Sequence, residues 1–133
     1  LMNNFHILPI LMGEQSLANV TAGAEILHRL LKDEPRSILF VISSDLSHYH
    51  SDEAARKMDA DFMEVLSEMN GEKLLEGIQN GNFEACGAGP IALFLELAKR
   101  SGHTHLKNLV YRNSGDSAGD YSKVVGYLAS AVW

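Results

Sequence analysis

Cysteine is almost missing from this chain: Cys86 stands alone in 133 residues. No internal disulfide can form, which excludes a small secreted domain stapled by disulfides and suits a reducing cytosol. Long apolar runs are missing too, since nothing approaches the ~18 consecutive apolar residues of a membrane span. Basic charge is scarce, with 11 Lys and Arg against 17 Asp and Glu for a net charge of −6. Phosphate backbones and anionic membranes both require a clustered basic surface, so neither nucleic acid nor membrane is expected as a partner. There is no secretory leader pattern, repeat, linker or low-complexity segment, and a cytoplasmic location is expected. What remains, 46% hydrophobic and 21% charged, is the composition of a single globular domain over residues 1–133. The chain opens on Leu1 and runs at once into apolar residues, so a preceding segment is expected.

The most informative stretch is Ser37 to His50. Ile38-Leu39-Phe40-Val41-Ile42 reads as a strand buried on both faces, the expectation for a central parallel strand. It breaks into Ser43-Ser44-Asp45-Leu46-Ser47-His48-Tyr49-His50. In open α/β sheets ligands bind beyond the carboxyl ends of such strands, so these hydroxyls, carboxylate and imidazoles stand where chemistry is usually done.

Upstream, residues 5–12 read as a strand, with Pro9 marking an edge or an interruption. Ser16 can cap a helix whose apolar positions are Leu17, Val20, Ala24, Leu27 and Leu31, ending near Lys32-Asp33 before Pro35. Together with the strand over 37–43, this makes a βαβ unit. Ser51-Asp52 can cap a second helix running to Met69 and stopped by Asn70-Gly71. A shorter helix follows, from Glu72 to Gln79, closed by Asn80-Gly81. Cys86-Gly87-Ala88-Gly89-Pro90 opens another helix with proline in its first turn, and Gly102 ends it. Two strands follow, Leu106 to Arg112 and Lys123 to Ala131, around the turn-rich residues 113–120.

Asp45 and His48 lie three apart, so a tight turn lets the carboxylate orient the imidazole as a general base. The same residues are also ordinary capping chemistry beside a surface histidine. His50 makes a His-x-His pair with His48, yet spacing specifies no further ligand and a metal site needs three or more. Cys86 precedes a helix N-terminus that can activate a thiol, while the commoner fate of a free cysteine is inert burial, which is the expectation here. Gly87-Ala88-Gly89-Pro90 lacks a P-loop lysine and reads as a tight turn. In the 113–120 loop, Asp116 and Ser117 either reach the His48 pocket or only shape a turn. His6, His28, His103 and His105 are read as structural or exposed.

Ser43-Ser44-Asp45-Leu46-Ser47-His48-Tyr49, Cys86-Gly87-Ala88-Gly89-Pro90-Ile91, and Ser114-Gly115-Asp116-Ser117-Ala118-Gly119-Asp120-Tyr121 with Val124-Val125-Gly126-Tyr127 resemble the successive motifs of the Memo-like family, also labelled AmmeMemoRadiSam system protein B. Ile7-Leu8-Pro9-Ile10-Leu11-Met12-Gly13 resembles the strand before them. The likeness covers the whole chain and about the C-terminal half of a family member. It implies a three-layer α/β/α sandwich with a central mixed sheet, similar to that of class III extradiol dioxygenases, which hold iron through two histidines and a carboxylate.

By that resemblance His48 is the acid/base residue, Asp45 its orienter, and Ser44, Cys86, Asp116 and Ser117 line the pocket. Some family members carry a cysteine near Ser117. Serine is a poor iron ligand, so a metal role would fall to Asp116. The two histidine ligands would belong to the other half. The resemblance implies metal-dependent redox chemistry on a small molecule, with iron or another divalent metal in the full-length protein. It equally implies a non-catalytic module binding a peptide, a phosphotyrosine segment or a protein partner. Uncovered sheet edges in this portion would favour a homo-oligomer.

Overall fold

The computed structural model describes residues 5–35 and 37–133. Helix α1 spans Leu17–Leu31, and Ser16 caps it by accepting the Asn19 amide at 3.3 Å. Its buried residues, Val20 and Ala24, are four apart on the face turned to the core. Strand β1 is short, His48–His50, and leads directly into helix α2, Asp52–Ser67. Ser51 accepts the Ala54 amide, while Asp52 and Glu53 place negative charge on the positive end of the helix dipole. Ala55, Asp59, Phe62 and Leu66 form the inward stripe of α2, with a charged residue in its middle.

Asn70 does more than stop α2, because its side chain accepts the Lys73 amide and so caps helix α3, Gly71–Gln79. A Cβ at Gly71 would lie 2.9 Å from the Ala92 carbonyl oxygen, so the missing side chain lets α3 approach helix α4, Ala88–Arg100. Pro90 sits in the first turn of α4, and Gly102, at φ +82°, follows its end. Strands β2, Leu106–Asn113, and β3, Val124–Val132, then pair antiparallel, with the one-turn helix α5, Gly115–Ala118, between them.

The architecture is mixed α/β, as the periodicity predicts. Among the described residues the sheet has three antiparallel strands in the order β1-β3-β2, with α2 packed against all three and α1 and α3 packed on α4. Val20, Leu46, Phe62, Leu74, Phe83 and Leu95 are at most 2% exposed and make the core, where Phe62 meets Phe83 edge-on at 5.5 Å. No helix among the described residues is long and apolar enough to cross a membrane.

Two anticipated strands differ. Residues 5–12 and 37–43 carry no regular structure, so the expected βαβ unit is not formed among the described residues. A strand exists only as one rung of a ladder, and neither segment has a ladder neighbour here. Residues 39–42 nevertheless alternate with period two: Phe40 and Ile42 are half-buried, whereas Leu39 and Val41 are 73% and 80% exposed. Phe40 leans on Phe94 of α4 with ring centroids 5.7 Å apart. Between this segment and the β2–β3 pair lies an open cavity of about 810 Å³, with Ile38, Phe40 and Ile42 on one side and Leu106, Leu128 and Val132 on the other.

Candidate functional site

The polar cluster that follows the 37–43 segment is held in place by partners from four other parts of the chain. Leu46 donates its amide to the Gly126 carbonyl at 2.9 Å, and Gly126 donates back to Ser47 at 3.0 Å, which ties the loop to β3. Ser47 is fully buried and gives both its amide and its hydroxyl to the Asp59 carboxylate, at 3.1 and 3.0 Å. Tyr111 donates to the same carboxylate at 2.6 Å. Asp59 is thus a fully buried acceptor with three donors, the condition under which a carboxylate is tolerated in a core. Burial and the Asp59 bond hold the Tyr111 phenol well above its ordinary range. Gly126 completes the arrangement, because a Cβ there would run into the Asp59 carboxylate.

Glu84 grips the loop from the other side. It accepts the His48 amide at 3.0 Å and meets His50 Nε2 at 3.0 Å. Burial pushes its carboxyl up, but the His48 amide and the His50 ring outweigh that and hold it below the usual carboxylate value. Between these two histidines the ladder slips by one residue and Tyr49 takes φ +62°, a conformation rare for an aromatic residue. Strained backbone of this kind persists where the surroundings over-determine it, as Asp59 and Glu84 do here.

Asp45 and His48 are brought together, with Asp45 Oδ2 3.6 Å from His48 Nε2. That is within ion-pair range and longer than a hydrogen bond. Cys86 lies on the other side of Asp45: its sulfur accepts the Asp45 amide at 3.2 Å, and its own amide donates to the Asp45 carbonyl at 3.1 Å. The Ser44 hydroxyl donates to the Asp45 carbonyl and accepts the Gly87 amide, both at 2.8 Å, with the Cys86 sulfur 3.8 Å away. Gly87 must be glycine for this approach, since a Cβ would fall 2.9 Å from the Ser43 carbonyl oxygen. Gln15 closes the corner by donating to the Cys86 carbonyl and accepting the Gly89 amide. The 43–49 and 86–90 motifs, forty residues apart, therefore form one interlocked corner. Cys86 is exposed, which corrects the expectation of a buried, inert thiol: the tight turn uses its backbone and leaves the side chain outside.

The third motif is placed differently. Ser114 and Val125 exchange hydrogen bonds, which sets this loop against β3. Asp116 is engaged by Arg56 at 3.2 Å and by the Asn113 amide at 3.0 Å, and Ser117 donates to the Ser114 carbonyl within its own turn. Arg56 also binds Asp52, whose other donor is the Asn113 side-chain amide, and it lies 5.8 Å over the Tyr111 ring. Both Asp116 and Ser117 thus have shaping roles in the loop. Among the described residues no group of three or more His, Cys, Asp or Glu could hold a metal ion. The residues present therefore do not by themselves fit the iron site that the dioxygenase likeness implies.

Asp59, Glu84, Arg56 and Gln15 went unread in the sequence. Asp59 had a signal, a lone carboxylate on the apolar stripe of α2, whereas Glu84 and Gln15 act through long-range contacts that no local pattern marks. His28 faces Ser101 at 3.4 Å and His105 stacks on Trp133, as structural histidines do.

Comparison with known proteins adds the following. A family model described as Memo-like protein matches residues 1–131. The chain is 38% identical over 128 residues to a MEMO1 family protein of Methanocaldococcus jannaschii, covering 96% of this chain and 45% of the relative. It is 36% identical over 127 residues to one from Methanobrevibacter smithii and 33% identical over 129 residues to one from Methanosarcina barkeri, of which it covers 45% and 49%. The chain spans about half the length of the curated relatives it matches.

Proposed function

Taking as premise that the chain belongs to the Memo-like family, we propose that the corner formed by Ser44, Asp45, His48 and Cys86 is a small-molecule site in which His48 moves a proton. The observation that carries this reading is the convergence on one residue, Asp45, of an imidazole at 3.6 Å and an exposed thiol at 3.2 Å. With Nε2 turned to Asp45, Nδ1 is the ring nitrogen left to face a ligand. The carboxylate orients the ring and stabilises the imidazolium once His48 has taken a proton. Apo geometries of such pairs are commonly loose and tighten on a bound ligand. Cys86 stands beside the same ligand as a soft, polarisable group, and an exposed thiol of this kind stays reduced in a cytoplasmic setting.

Metal-dependent redox chemistry, the fuller reading suggested by the dioxygenase likeness, needs ligands beyond these residues, so no step is routed through a metal here. The alternative of a phosphopeptide-binding module finds less support. Phosphate recognition relies on arginine and lysine donors, whereas this corner is built from Asp45, Glu84, hydroxyls and imidazoles, and Arg56 is already committed to Asp52 and Asp116.

The test is a titration of isotope-labelled protein with catechol and, in parallel, with a phosphotyrosine peptide, followed by amide shifts. The expected result is catechol-induced shifts at Ser44, Asp45, His48 and Gly87 that disappear in His48→Ala. Shifts from the phosphopeptide alone would favour the binding-module reading, and a catechol response confined to the apolar cavity would overturn the assignment of this corner.

A further inference from the structure

The least explained feature of the molecule is its open apolar side. The protein exposes 8828 Å². A folded monomer of 14.6 kDa exposes about 6,900 Å² by the usual scaling of surface with mass. The excess of about 1,900 Å² is roughly twice what one partner contributes to a standard protein–protein interface and falls in the obligate range. Much of it is apolar and concentrated in two stretches of sequence: Ile7, Leu8 and Leu11 are 78%, 82% and 97% exposed, and Leu39 and Val41 are 73% and 80% exposed. A patch of this kind marks a surface that is covered in the working protein.

Its shape is that of a slot for strands. On one side stands the 37–43 segment, apolar in sequence, alternating inward and outward, and without a ladder neighbour among the described residues. On the other stands β2, an edge strand of the sheet. Leu106, Leu128 and Val132 from the β2–β3 pair face Ile38, Phe40 and Ile42 across the cavity of about 810 Å³. Edge strands and extended segments with free amides and carbonyls bind other strands, and the apolar walls would be buried by doing so.

We infer that this slot receives strands from the portion of a Memo-like fold that the relatives possess and this chain lacks. Three observations select that occupant. The matched relatives are about twice as long, with 45–49% of each covered. The uncovered area is of obligate rather than transient size. The 37–43 sequence is that of a strand buried on both faces, so it calls for neighbours on both edges and cover on both sides, more than one copy of the β2 edge would give. Seating such strands converts 37–43 into an interior strand and fixes the peptide that leads into Ser44 and Asp45.

The test pairs the 133-residue chain with the portion of the Methanocaldococcus jannaschii relative that lies outside its matched 128 residues. The two are co-expressed, purified through a tag on one of them, and analysed by light scattering and hydrogen exchange. The expected result is a one-to-one complex in which the amides of 38–42 become protected. Leu39→Asp and Val41→Asp should leave the fold of the chain alone intact, because both side chains are exposed there, and weaken association by at least about tenfold, since each buries a carboxylate in the complex. A homodimer of the chain with the same protection, formed in preference to the mixed complex, would overturn the choice of occupant. Failure to associate, or association that the two variants leave unchanged, would overturn the slot itself.

Discussion

Two stretches of this chain are equally apolar in sequence and opposite in fate. Residues 54–66 turn Ala55, Phe62 and Leu66 inward and bury them almost completely, whereas residues 5–12 and 37–42 leave Leu11, Leu39 and Val41 largely in solvent. The difference lies in where the backbone groups are satisfied. A helix closes its own hydrogen bonds and needs only a surface to lie on, so α2 is complete within this chain. A strand borrows its hydrogen bonds from neighbours, so the 37–43 segment is complete only in company. The polar corner sits at the border between these two regimes: Ser47, His48 and His50 are fastened by Asp59 and Glu84, and the residues just before Ser44 are not.

The largest way to break that contrast is to remove the anchor. Asp59→Ala leaves the Ser47 amide and hydroxyl and the Tyr111 hydroxyl buried without an acceptor, and the expected loss is about 3 kcal/mol or more in urea unfolding. Gly126→Ala pushes a methyl group into the same carboxylate and should cost about 2 kcal/mol by the same measurement. Glu84→Gln tests the second fastening through pH. The folded state holds the Glu84 carboxyl below its unfolded value, so its contribution is present in full above the unfolded value and is lost as pH falls through the folded one. The thermal midpoint of the wild type should therefore fall more steeply on acidification than that of Glu84→Gln. At the other extreme, Leu39→Asp in the chain alone should change stability by no more than about 0.5 kcal/mol, because Leu39 has little packing to lose.

Most helices and the final two strands were legible because their signals are local. Ser16, Ser51 and Asn70 cap helices as their residue types suggest, and Gly81 and Gly102 close them with positive φ. The strands over 5–12 and 37–43 were misread as self-sufficient, since an apolar run shows a demand for burial and says nothing of whether a neighbour is at hand. At the site, the pairing of Asp45 with His48 could be read from spacing within one turn. The junction of Cys86 with Asp45 and the capture of Asp116 by Arg56 could not, for both depend on contacts across 41 and 60 residues of chain.

The contrast between a fastened corner and an unfinished strand is most directly tested by hydrogen exchange on the chain alone, residue by residue. Slow exchange is predicted at the Ser47, His48 and Gly126 amides, which donate to Asp59, Glu84 and Ser47, and fast exchange at Leu39 and Val41. Protection of Leu39 and Val41 equal to that of Ser47 would contradict the account, as would rapid exchange at Ser47 itself.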